Sequence, residues 1–318
     1  MKLNYASSLK HPVFKVISQY IAENKIEAYV IGGFVRDLLL ESPSKDIDIV
    51  VIGDGPELAS AIAKIMRVKS VSIYKNYGTA HFRYKDLDVE FVGARKESYV
   101  SDSRKPETEI GTLKDDQNRR DFTINTLALD LRPETFGNIL DPFNGIADLE
   151  KGIIRTPLEP EITFSDDPLR MLRAIRFASR LNFKIEISCL EAIRKQSKRL
   201  EIISRERISE ELNKIILSET PSRGFKLLDS TYLLEQFFPE FIQLKGIETI
   251  DGKSHKDNFE HSLEVLDNIS QNTDSLWLRW AAILHDIAKP PTKRFDPIVG
   301  WTFHGHEELG SKWVPRIF

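Results

Sequence analysis

One stretch, residues 28–51, constrains the fold of this chain more than any other part of the sequence. An apolar run ends at Gly32 and Gly33, a short amphipathic segment follows, and a second apolar run begins near Asp46. Apolar runs separated by a glycine turn and a helical pattern predict a strand, a turn, a helix and a second strand. We therefore expect a sheet with helices, organised around this unit.

Two carboxylates lie at alternate positions of the second run. Asp46 and Asp48 would point to one face of the strand, with Cα atoms roughly 6–7 Å apart. They could share divalent cations, although such pairs also occur as solvent-side residues of half-exposed strands. The upstream glycines favour a site, because they allow close backbone approach and open a helix whose free N–H groups suit phosphate. A metal site beside a phosphate site is what nucleotidyl transfer requires.

Composition indicates an ordinary globular protein. The 318 residues, 41% of them hydrophobic, suffice for two or three domains. The single cysteine, Cys189, excludes a disulfide within the chain and fits a reducing compartment. We find neither a leader sequence nor an apolar run near the roughly 18 residues of a membrane span, so we expect a cytoplasmic protein without membrane contact. With a net charge of −3 the chain is not basic overall, so any nucleic-acid binding must rely on local basic patches.

Short strands are predicted over Val68–Ile73, Thr79–Tyr84 and Leu87–Val92, after a helix over Glu57–Met66. The third strand contains Glu90, which could be a surface residue. It could also be the third carboxylate that two-metal transfer uses on the side of the attacking hydroxyl. The polar residues 93–118 predict a surface loop.

Arg119, Arg120 and Asp121 precede a segment, Phe122–Leu131, that we predict to be a helix with Asp121 at its N-cap. A capped helix with two solvated arginines would explain the pattern without any ligand. Turn-forming residues in Asp141–Leu149 predict a connection between two domains.

The sequence from Phe164 predicts a helix opened by Pro168, with an arginine stripe on one side. The stripe would comprise Arg170, Arg173, Arg176 and Arg180. It could be a solvated face with Asp166 and Asp167 as caps, or it could present forked donors and acceptors to a base. Further helices to Ile216 carry basic positions that could contact an RNA backbone: Arg194, Lys195, Lys198, Arg199, Arg205 and Arg207.

A histidine and a later His-Asp pair mark the C-terminal part. His261, His285 and Asp286 fall in helical patterns, and such residues can coordinate a divalent metal. Their order resembles that of HD phosphohydrolase domains. The HD family closes its metal site with a later aspartate, and this chain ends at Phe318, so we expect the N-terminal part of an HD domain with its hydrolase chemistry left open.

Ordered sequence blocks over residues 28–215 resemble one family. They are GGFVRDLLL with KDIDIVV, NRRDFTINTLALDL, DPFNGIADL and DDPLRMLRAIRFASRL. They resemble the class II nucleotidyltransferases of the polymerase-beta superfamily, which are the CCA-adding tRNA nucleotidyltransferases and the bacterial poly(A) polymerases. The resemblance implies an α+β fold with a nucleotidyltransferase head at 1–150, an all-α neck at 151–245 and a partial HD domain at 246–318.

The resemblance also implies roles for individual residues. Asp46 and Asp48 would hold two Mg²⁺ ions, and Glu90 would be the third acid. Arg120 would contact the triphosphate and Asp121 the ribose 2′-hydroxyl. The nucleotide-binding set as a whole would be Gly32, Gly33, Arg36, Arg120, Asp121, Asn125, Asp166, Asp167, Arg170 and Arg173.

Base selection in the family uses an E-D-x-x-R motif, to which Asp166, Asp167 and Arg170 correspond. Asp166 departs from the usual glutamate, and its reach is one methylene shorter. Arg173 would lie near the phosphates.

The expected activity is template-independent addition of CMP and AMP, from CTP and ATP, to the 3′ end of tRNA. Poly(A) addition is the alternative within the family. An HD phosphohydrolase with an RNA-binding head and a tRNA-binding module without catalysis are the alternatives outside it. The sequence does not indicate the oligomeric state.

Overall fold

The computed structural model describes residues 4–42, 44–98 and 107–317. The chain forms two compact units, Met1–Glu159 and Pro160–Phe318. Each unit is described separately below. None of the described helices is long and apolar enough to cross a lipid bilayer.

The first unit is built on a mixed sheet. Its strands are β1 (Glu27–Ile31), β2 (Asp46–Ile52), β3 (Ser72–Tyr74), β4 (Thr79–Tyr84), β5 (Leu87–Gly93), β6 (Arg95–Ser98), β7 (Glu107–Ile110), β8 (Ala128–Asp130), β9 (Ile139–Leu140) and β10 (Ile153–Ile154). Its helices are α1 (Pro12–Asn24), α2 (Gly33–Leu39), α3 (Gly55–Ile65), α4 (Leu113–Asn118) and α5 (Gly145–Lys151), with short 3-10 turns at Ala6–Ser8, Lys75–Tyr77, Thr123–Asn125 and Pro133–Thr135.

Seven strands form the sheet in the order β3-β4-β5-β2-β1-β8-β9. The pair β2 and β5 is parallel, and the neighbouring pairs are antiparallel. Alternate residues of the central strands, among them Ile47, Ile49 and Phe91, are buried in a core shared with α1 and α3. Because strand side chains alternate, the residues between them lie on the opposite face of the sheet.

The predicted strand, turn, helix and strand of residues 28–51 are confirmed as β1, the turn at Gly32, α2 and β2. The predicted strands Thr79–Tyr84 and Leu87–Val92 are also confirmed, as β4 and β5. The strand predicted over Val68–Ile73 is shorter and later, at Ser72–Tyr74.

The prediction of a loop over residues 93–118 is wrong for its described parts. Strands β6 and β7 pair with each other, and α4 follows with a capping box in which Thr112 and Asp115 bond reciprocally. Polar composition indicated a loop, but strand pairing and a cap can order a polar segment. The rest of that segment, 99–106, lies outside the described residues.

The prediction of a helix over Phe122–Leu131 is also wrong. Only Thr123–Asn125 is helical, as a 3-10 turn, and Ala128–Asp130 forms β8, paired with β1. Residues 127–131 are all buried. An apolar run covered on both faces belongs to an interior strand, which periodicity alone does not distinguish from a buried helix.

The segment Asp141–Leu149, predicted to connect two domains, lies within the first unit. The Asp141 carboxylate accepts bonds from the backbone N–H of Gly145 at 2.6 Å and of Ile146 at 3.0 Å, which fixes the start of α5. The Thr123 hydroxyl donates to Asp148 at 2.7 Å. The helix α5 therefore supports the 3-10 turn that carries Asn125.

The second unit is mainly helical. Its helices are α6 (Pro160–Asp166), α7 (Leu169–Arg180), α8 (Ile187–Gln196), α9 (Arg205–Ile216), α10 (Pro221–Ser230), α11 (Leu234–Phe237), α12 (Pro239–Ile242), α13 (Asn258–Ser270), α14 (Leu276–Leu284), α15 (Lys289–Thr292) and α16 (His306–Ile317), with a 3-10 turn at Ser197–Ile202. Its short strands are β11 (Lys184–Ile185), β12 (Thr249–Ile250), β13 (Lys253–Ser254), β14 (Arg294–Asp296) and β15 (Gly300–Thr302).

The arginine stripe on α7 differs from the prediction in one member. Arg176 is buried, and its Nε donates to the Glu211 carboxylate of α9 at 2.6 Å. It therefore joins two helices instead of facing solvent. Angular position on a helix could not show this, because the partner lies 35 residues away in sequence.

Arg279 ties the ends of two helices together inside the second unit. Its side chain is buried and donates to the carbonyl oxygens of Ile216 and Ser218 at 2.9 Å and of Ser270 at 3.0 Å. Ile216 ends α9 and Ser270 ends α13. Terminal carbonyls lack partners within their own helices and favour a cation, so one guanidinium satisfies both ends.

We expect Arg279→Lys to lower the free energy of unfolding by about 2–4 kcal/mol, because an ammonium group cannot reach all of these carbonyls and leaves some buried without a donor. Calorimetry of the whole chain would measure the change. Arg180→Lys, at an exposed position of α7, is the matched control and should leave the melting temperature unchanged. Equal melting temperatures for Arg279→Lys and the unmutated protein would contradict the assigned role.

Candidate active site

The three predicted acids lie on one face of the sheet, opposite the face that α1 and α3 cover. In the parallel pair of β2 and β5, Asp48 stands directly beside Glu90, and Asp46 stands beside Asp88. The residues between them, Ile47 and Val89 among others, point into the core. Asp46, Asp48 and Glu90 are thus brought together, as the sequence predicted.

Electrostatics mark two of these acids as unusual. Burial, with the nearby negative charge of Asp46, raises the pKa of Asp48 above its ordinary value, and Arg120 opposes the rise. Burial and the charge of Asp48 likewise raise the pKa of Glu90, against the effect of His81. Carboxylates that are desolvated and close to one another bind a proton or a cation more readily than isolated ones do.

This donor set fits divalent metal ions. Carboxylate oxygens are the ligands that Mg²⁺ prefers, and it is usually held by one or two carboxylates together with substrate phosphates. Burial is the main cause of the raised pKa values of Asp48 and Glu90, and the negative charges of neighbouring acids add to it. Asp46, Asp48 and Glu90 are therefore suited to holding such ions.

Arg120 lies against the glycine turn that precedes α2. A Cβ atom added to Gly32 would stand 2.6 Å from Arg120 Nη1 and 3.3 Å from Asp48 Oδ2. Gly32 has a φ angle of +81°, a backbone conformation that residues other than glycine rarely adopt. The turn therefore brings backbone, the Arg120 guanidinium and the Asp48 carboxylate into one small region.

Asp116, which the sequence analysis does not single out, holds Arg120 in this position. Its side chain is fully buried and accepts bonds from Arg120 Nε at 2.9 Å and from Arg119 Nη2. Burial favours the neutral acid, but the two guanidinium groups outweigh it and hold the pKa of Asp116 below its ordinary value. The only sequence signal was the i, i+3 and i, i+4 spacing from Asp116 to the two arginines, which suits a helical ion pair.

A buried chain of hydrogen bonds connects Arg36 with Asp121. Arg36 donates to Asp37 at 2.7 Å and to the Asn125 side-chain oxygen at 2.7 Å. Asn125 in turn donates to Asp121 at 2.9 Å, and Asp121 also accepts from the backbone N–H of Phe122 at 2.8 Å. All four side chains are largely buried. Arg36 and Asn125 therefore orient Asp121, and the 3-10 turn at Thr123–Asn125 makes this geometry possible.

We expect Gly32→Ala to lower the rate of nucleotide transfer about 100-fold, because the new methyl group would displace the Arg120 guanidinium and strain the turn. Single-turnover assays would measure the loss. Gly252→Ala is the matched control, since Gly252 also has a positive φ, of +73°, and a Cβ atom there meets nothing within 4 Å. Equal losses in the two variants would show that the contact with Arg120 is unimportant.

The second unit contains the other predicted nucleotide-binding residues. Asp166 ends α6 and is exposed, and Asp167 bonds to the backbone N–H of Leu169 at 3.1 Å and to Arg207 at 3.2 Å. Arg170 donates to the Thr163 carbonyl at 3.2 Å, and the Arg173 guanidinium lies 5.5 Å from the centre of the Phe177 ring. Asp166, Asp167 and Arg170 thus lie within one helix junction.

Several predicted basic positions of the second unit have polar partners. Lys195 pairs with Glu161, Arg199 donates to the Ser165 carbonyl, and Arg194 donates to the Ser230 carbonyl. Lys198 and Arg205 are exposed. Arg194, Lys195 and Arg199 are exposed as well. A carbonyl partner leaves a guanidinium charged, so among these positions, within the described part of the chain, only Lys195, through Glu161, has its charge offset by a carboxylate.

The predicted HD residues converge in the second unit. Ligand atoms of His261, His285 and Asp286 lie within 4.8 Å of one another. His306 adds an imidazole whose Nε2 is 3.5 Å from Asp286, and Lys289 donates to the same carboxylate at 2.7 Å. Burial opposes ionisation of Asp286, but bonds from His285 and Lys289 lower its pKa to about 2.

Three family models match successive parts of the chain. The poly A polymerase head domain matches residues 28–155, the "Probable RNA and SrmB- binding site of polymerase A" matches 182–244, and the HD domain matches 258–318.

Two relatives are similar in sequence. The A-adding tRNA nucleotidyltransferase of Aquifex aeolicus is 39% identical over 204 residues, which are 64% of this chain and 24% of the relative. The CCA-adding enzyme of Ligilactobacillus salivarius is 37% identical over 236 residues, which are 73% of this chain and 56% of the relative. The chain thus spans between about a quarter and just over half of the length of these two proteins.

A solved structure of a tRNA nucleotidyltransferase, in complex with a primer tRNA and an incoming ATP analogue, aligns with a TM-score of 0.66 and 29% sequence identity. The alignment covers 84% of this chain and 75% of that one. Together with the head, RNA-binding and HD matches, this similarity shows that the chain belongs to the family of the CCA-adding tRNA nucleotidyltransferases and bacterial poly(A) polymerases.

Proposed function

We propose that this protein adds CMP and AMP, without a template, to the 3′ end of tRNA and releases pyrophosphate. The single observation that carries the proposal is the row of carboxylates in which Asp48 stands beside Glu90, with Arg120 next to Asp48. The names of the relatives and of the aligned tRNA complex support the choice of tRNA as the acceptor.

Asp46 and Asp48 would hold two Mg²⁺ ions, with Glu90 as the third acid. When bound, such ions supply positive charge that offsets the charge developing on the attacking and leaving oxygens. The protein contributes a rigid pair of strands, so the carboxylates are in place before substrate arrives.

Glu90 lies on the side of Asp48 away from Arg120, where the attacking hydroxyl would enter. The 3′-oxygen of the RNA forms a bond to the α-phosphorus as the bond from that phosphorus to the bridging oxygen breaks, and pyrophosphate leaves. The proton of the hydroxyl passes to Glu90. The raised pKa of Glu90 suits a proton acceptor better than an ordinary exposed glutamate would.

Arg120 would bind the triphosphate at the turn of Gly32 and Gly33, where the absence of a side chain allows close approach. Asp121 would accept a hydrogen bond from the ribose 2′-hydroxyl. The resemblance implies that Arg36 and Asn125 contact the nucleotide, but their hydrogen bonds favour a role in orienting Asp121.

The base would be selected by Asp166, Asp167 and Arg170, and Arg173 would lie near the phosphates. This assignment is supported by their correspondence to the E-D-x-x-R motif of the family.

The head is proposed to end near residue 150 and the RNA-binding neck near 245. Cys189, buried and the single cysteine of the chain, supports a reducing, cytoplasmic location.

Incubation with a tRNA that lacks its CCA terminus tests the proposal. Labelled CTP alone should add two nucleotides, and CTP with ATP should add three and then stop. Long tails from ATP alone would instead indicate a poly(A) polymerase. Addition of A only, to a tRNA that already ends in CC, would indicate an activity like that named for the Aquifex relative.

A second candidate activity is phosphohydrolysis by the HD part. The convergence of His261, His285 and Asp286, with His306 close by, favours a divalent metal there. Hydrolysis of a phosphomonoester or cyclic phosphate that survives Asp48→Ala and disappears in His285→Ala would support this activity. Hydrolysis without any nucleotide transfer by the unmutated protein would make it the main function.

A further inference from the structure

Strand β4 lies next to β5, on the side away from β2. In the antiparallel pair of β4 and β5, His81 stands beside Glu90 and Arg83 stands beside Asp88. Phe82, between them, is buried in the core with α3. His81 and Arg83 therefore lie on the same face as the catalytic acids, one strand beyond Glu90.

The geometry of nucleotide transfer indicates from which side of the sheet the RNA 3′ end approaches. Gly32 and Arg120 approach Asp48 from the side of β1, because Gly32 follows β1 and Ile31 stands beside Asp48. In-line displacement places the attacking oxygen and the leaving pyrophosphate on opposite sides of the α-phosphorus. If the triphosphate lies on the β1 side, the RNA 3′ end must approach over β5 and β4.

Charge creates a difficulty on this approach. Asp46, Asp48, Asp88 and Glu90 share the face, and they repel RNA phosphates unless cations stand nearby. Arg83 is exposed, and within the described part of the chain it forms no ion pair. Its cross-strand neighbour Asp88 would be the expected partner.

The described contact of Asp88 is with His81 and not with Arg83. The His81 Nε2 and the Asp88 Oδ1 are 3.2 Å apart, and both side chains are a little over one-third exposed. The imidazole thus engages one oxygen of the carboxylate, and no ion pair within the described residues joins that carboxylate to Arg83. An arginine that remains exposed beside the acids, on the approach side, can offer two parallel donors to a phosphate.

We propose that Arg83 binds a backbone phosphate of the last nucleotides of the acceptor RNA. This inference rests on the proposed function, because it concerns the acceptor side of that same reaction. The ligand is a phosphodiester of single-stranded RNA, and base identity should not matter at this contact.

The test is the steady-state kinetics of CMP addition to a tRNA that ends before its CCA terminus. Arg83→Ala should raise KM for the tRNA about 10-fold or more, as expected for the loss of a charge-assisted phosphate contact. KM for CTP should stay within about twofold, and Arg83→Lys should recover most of the loss. Lys64→Ala removes the same charge from an exposed position of α3, on the opposite face, and should change neither constant.

Binding of the same tRNA without nucleotide, followed by fluorescence anisotropy, should weaken in parallel for Arg83→Ala only. A KM for tRNA within twofold of the unmutated value would overturn the inference. Equal effects of Arg83→Ala and Lys64→Ala would also overturn it, since net charge alone would explain them. If the unmutated protein transfers no nucleotide to any RNA, the proposed function has failed instead, and the two results are distinguishable.

Discussion

Asp48→Asn is expected to lower the rate of nucleotide addition about a thousandfold or more while the fold stays intact. The change removes the carboxylate that stands beside Glu90, and with it a proposed ligand of a metal ion that would offset several kcal/mol of transition-state charge. The rate is measured by single-turnover incorporation of labelled CMP at saturating Mg²⁺. Asp86→Asn, at an exposed position between β4 and β5, should keep full activity.

The same variant has an expected effect on stability. The pKa of Asp48 is raised in the folded protein, so ionisation costs stability in the absence of metal. The cost is absent below the ordinary pKa of 3.8 and is fully present above the raised folded value. Without metal, the melting temperature of Asp48→Asn relative to that of the unmutated protein should therefore increase as the pH rises from 3.8 to above the folded pKa of Asp48. A variant that is active, or that unfolds at neutral pH, would contradict the assigned role.

Asp116→Asn should reduce both stability and activity. Loss of this buried charge leaves Arg119 and Arg120 without their shared partner, and breaking a buried ion pair typically costs about 3–5 kcal/mol. Because Arg120 would no longer be held beside Gly32 and Asp48, we expect about a 100-fold lower rate of transfer. Calorimetry and single-turnover kinetics would measure the two effects.

The adjacent acid provides the control for this prediction. Asp115→Asn makes the same chemical change one residue away, in the capping box with Thr112. It should cost at most about 1 kcal/mol and leave the transfer rate unchanged, because the side-chain oxygen of an asparagine can still accept the bond from the Thr112 backbone N–H. Similar losses in the two variants would show that Asp116 acts only through the stability of α4.

The sequence predicted the local parts of the site well. Strand β1, the turn at Gly32, α2 and β2 follow from periodicity and glycine placement, which act over a few residues. Two-metal chemistry and family resemblance predict Glu90 as the third acid. The register of the parallel strands β2 and β5 places Glu90 directly beside Asp48. Parallel pairing joins distant segments, so no local pattern could have predicted that register.

The predictions that were wrong share one physical cause, which is contacts between residues far apart in the sequence. The segment Phe122–Leu131 is apolar on all sides, and only its pairing with β1 makes it a strand instead of a helix. Arg176 occupies the expected angle on α7, but Glu211 buries it. The ion pair of Asp116 with Arg120 is buried, and the sequence spacing of the two residues does not reveal that burial.

The central claim is that Asp46, Asp48 and Glu90 form a two-metal centre in the head. Anomalous scattering from Mn²⁺, in crystals grown with CTP and a tRNA whose last residue lacks a 3′-hydroxyl, tests it most directly. We predict two anomalous peaks within coordination distance of the Asp46 and Asp48 carboxylates, with Glu90 beside the peak nearer the RNA end, and loss of both peaks in Asp48→Asn. Manganese found only at the His261, His285 and Asp286 cluster, with none at the carboxylate row, would contradict the account.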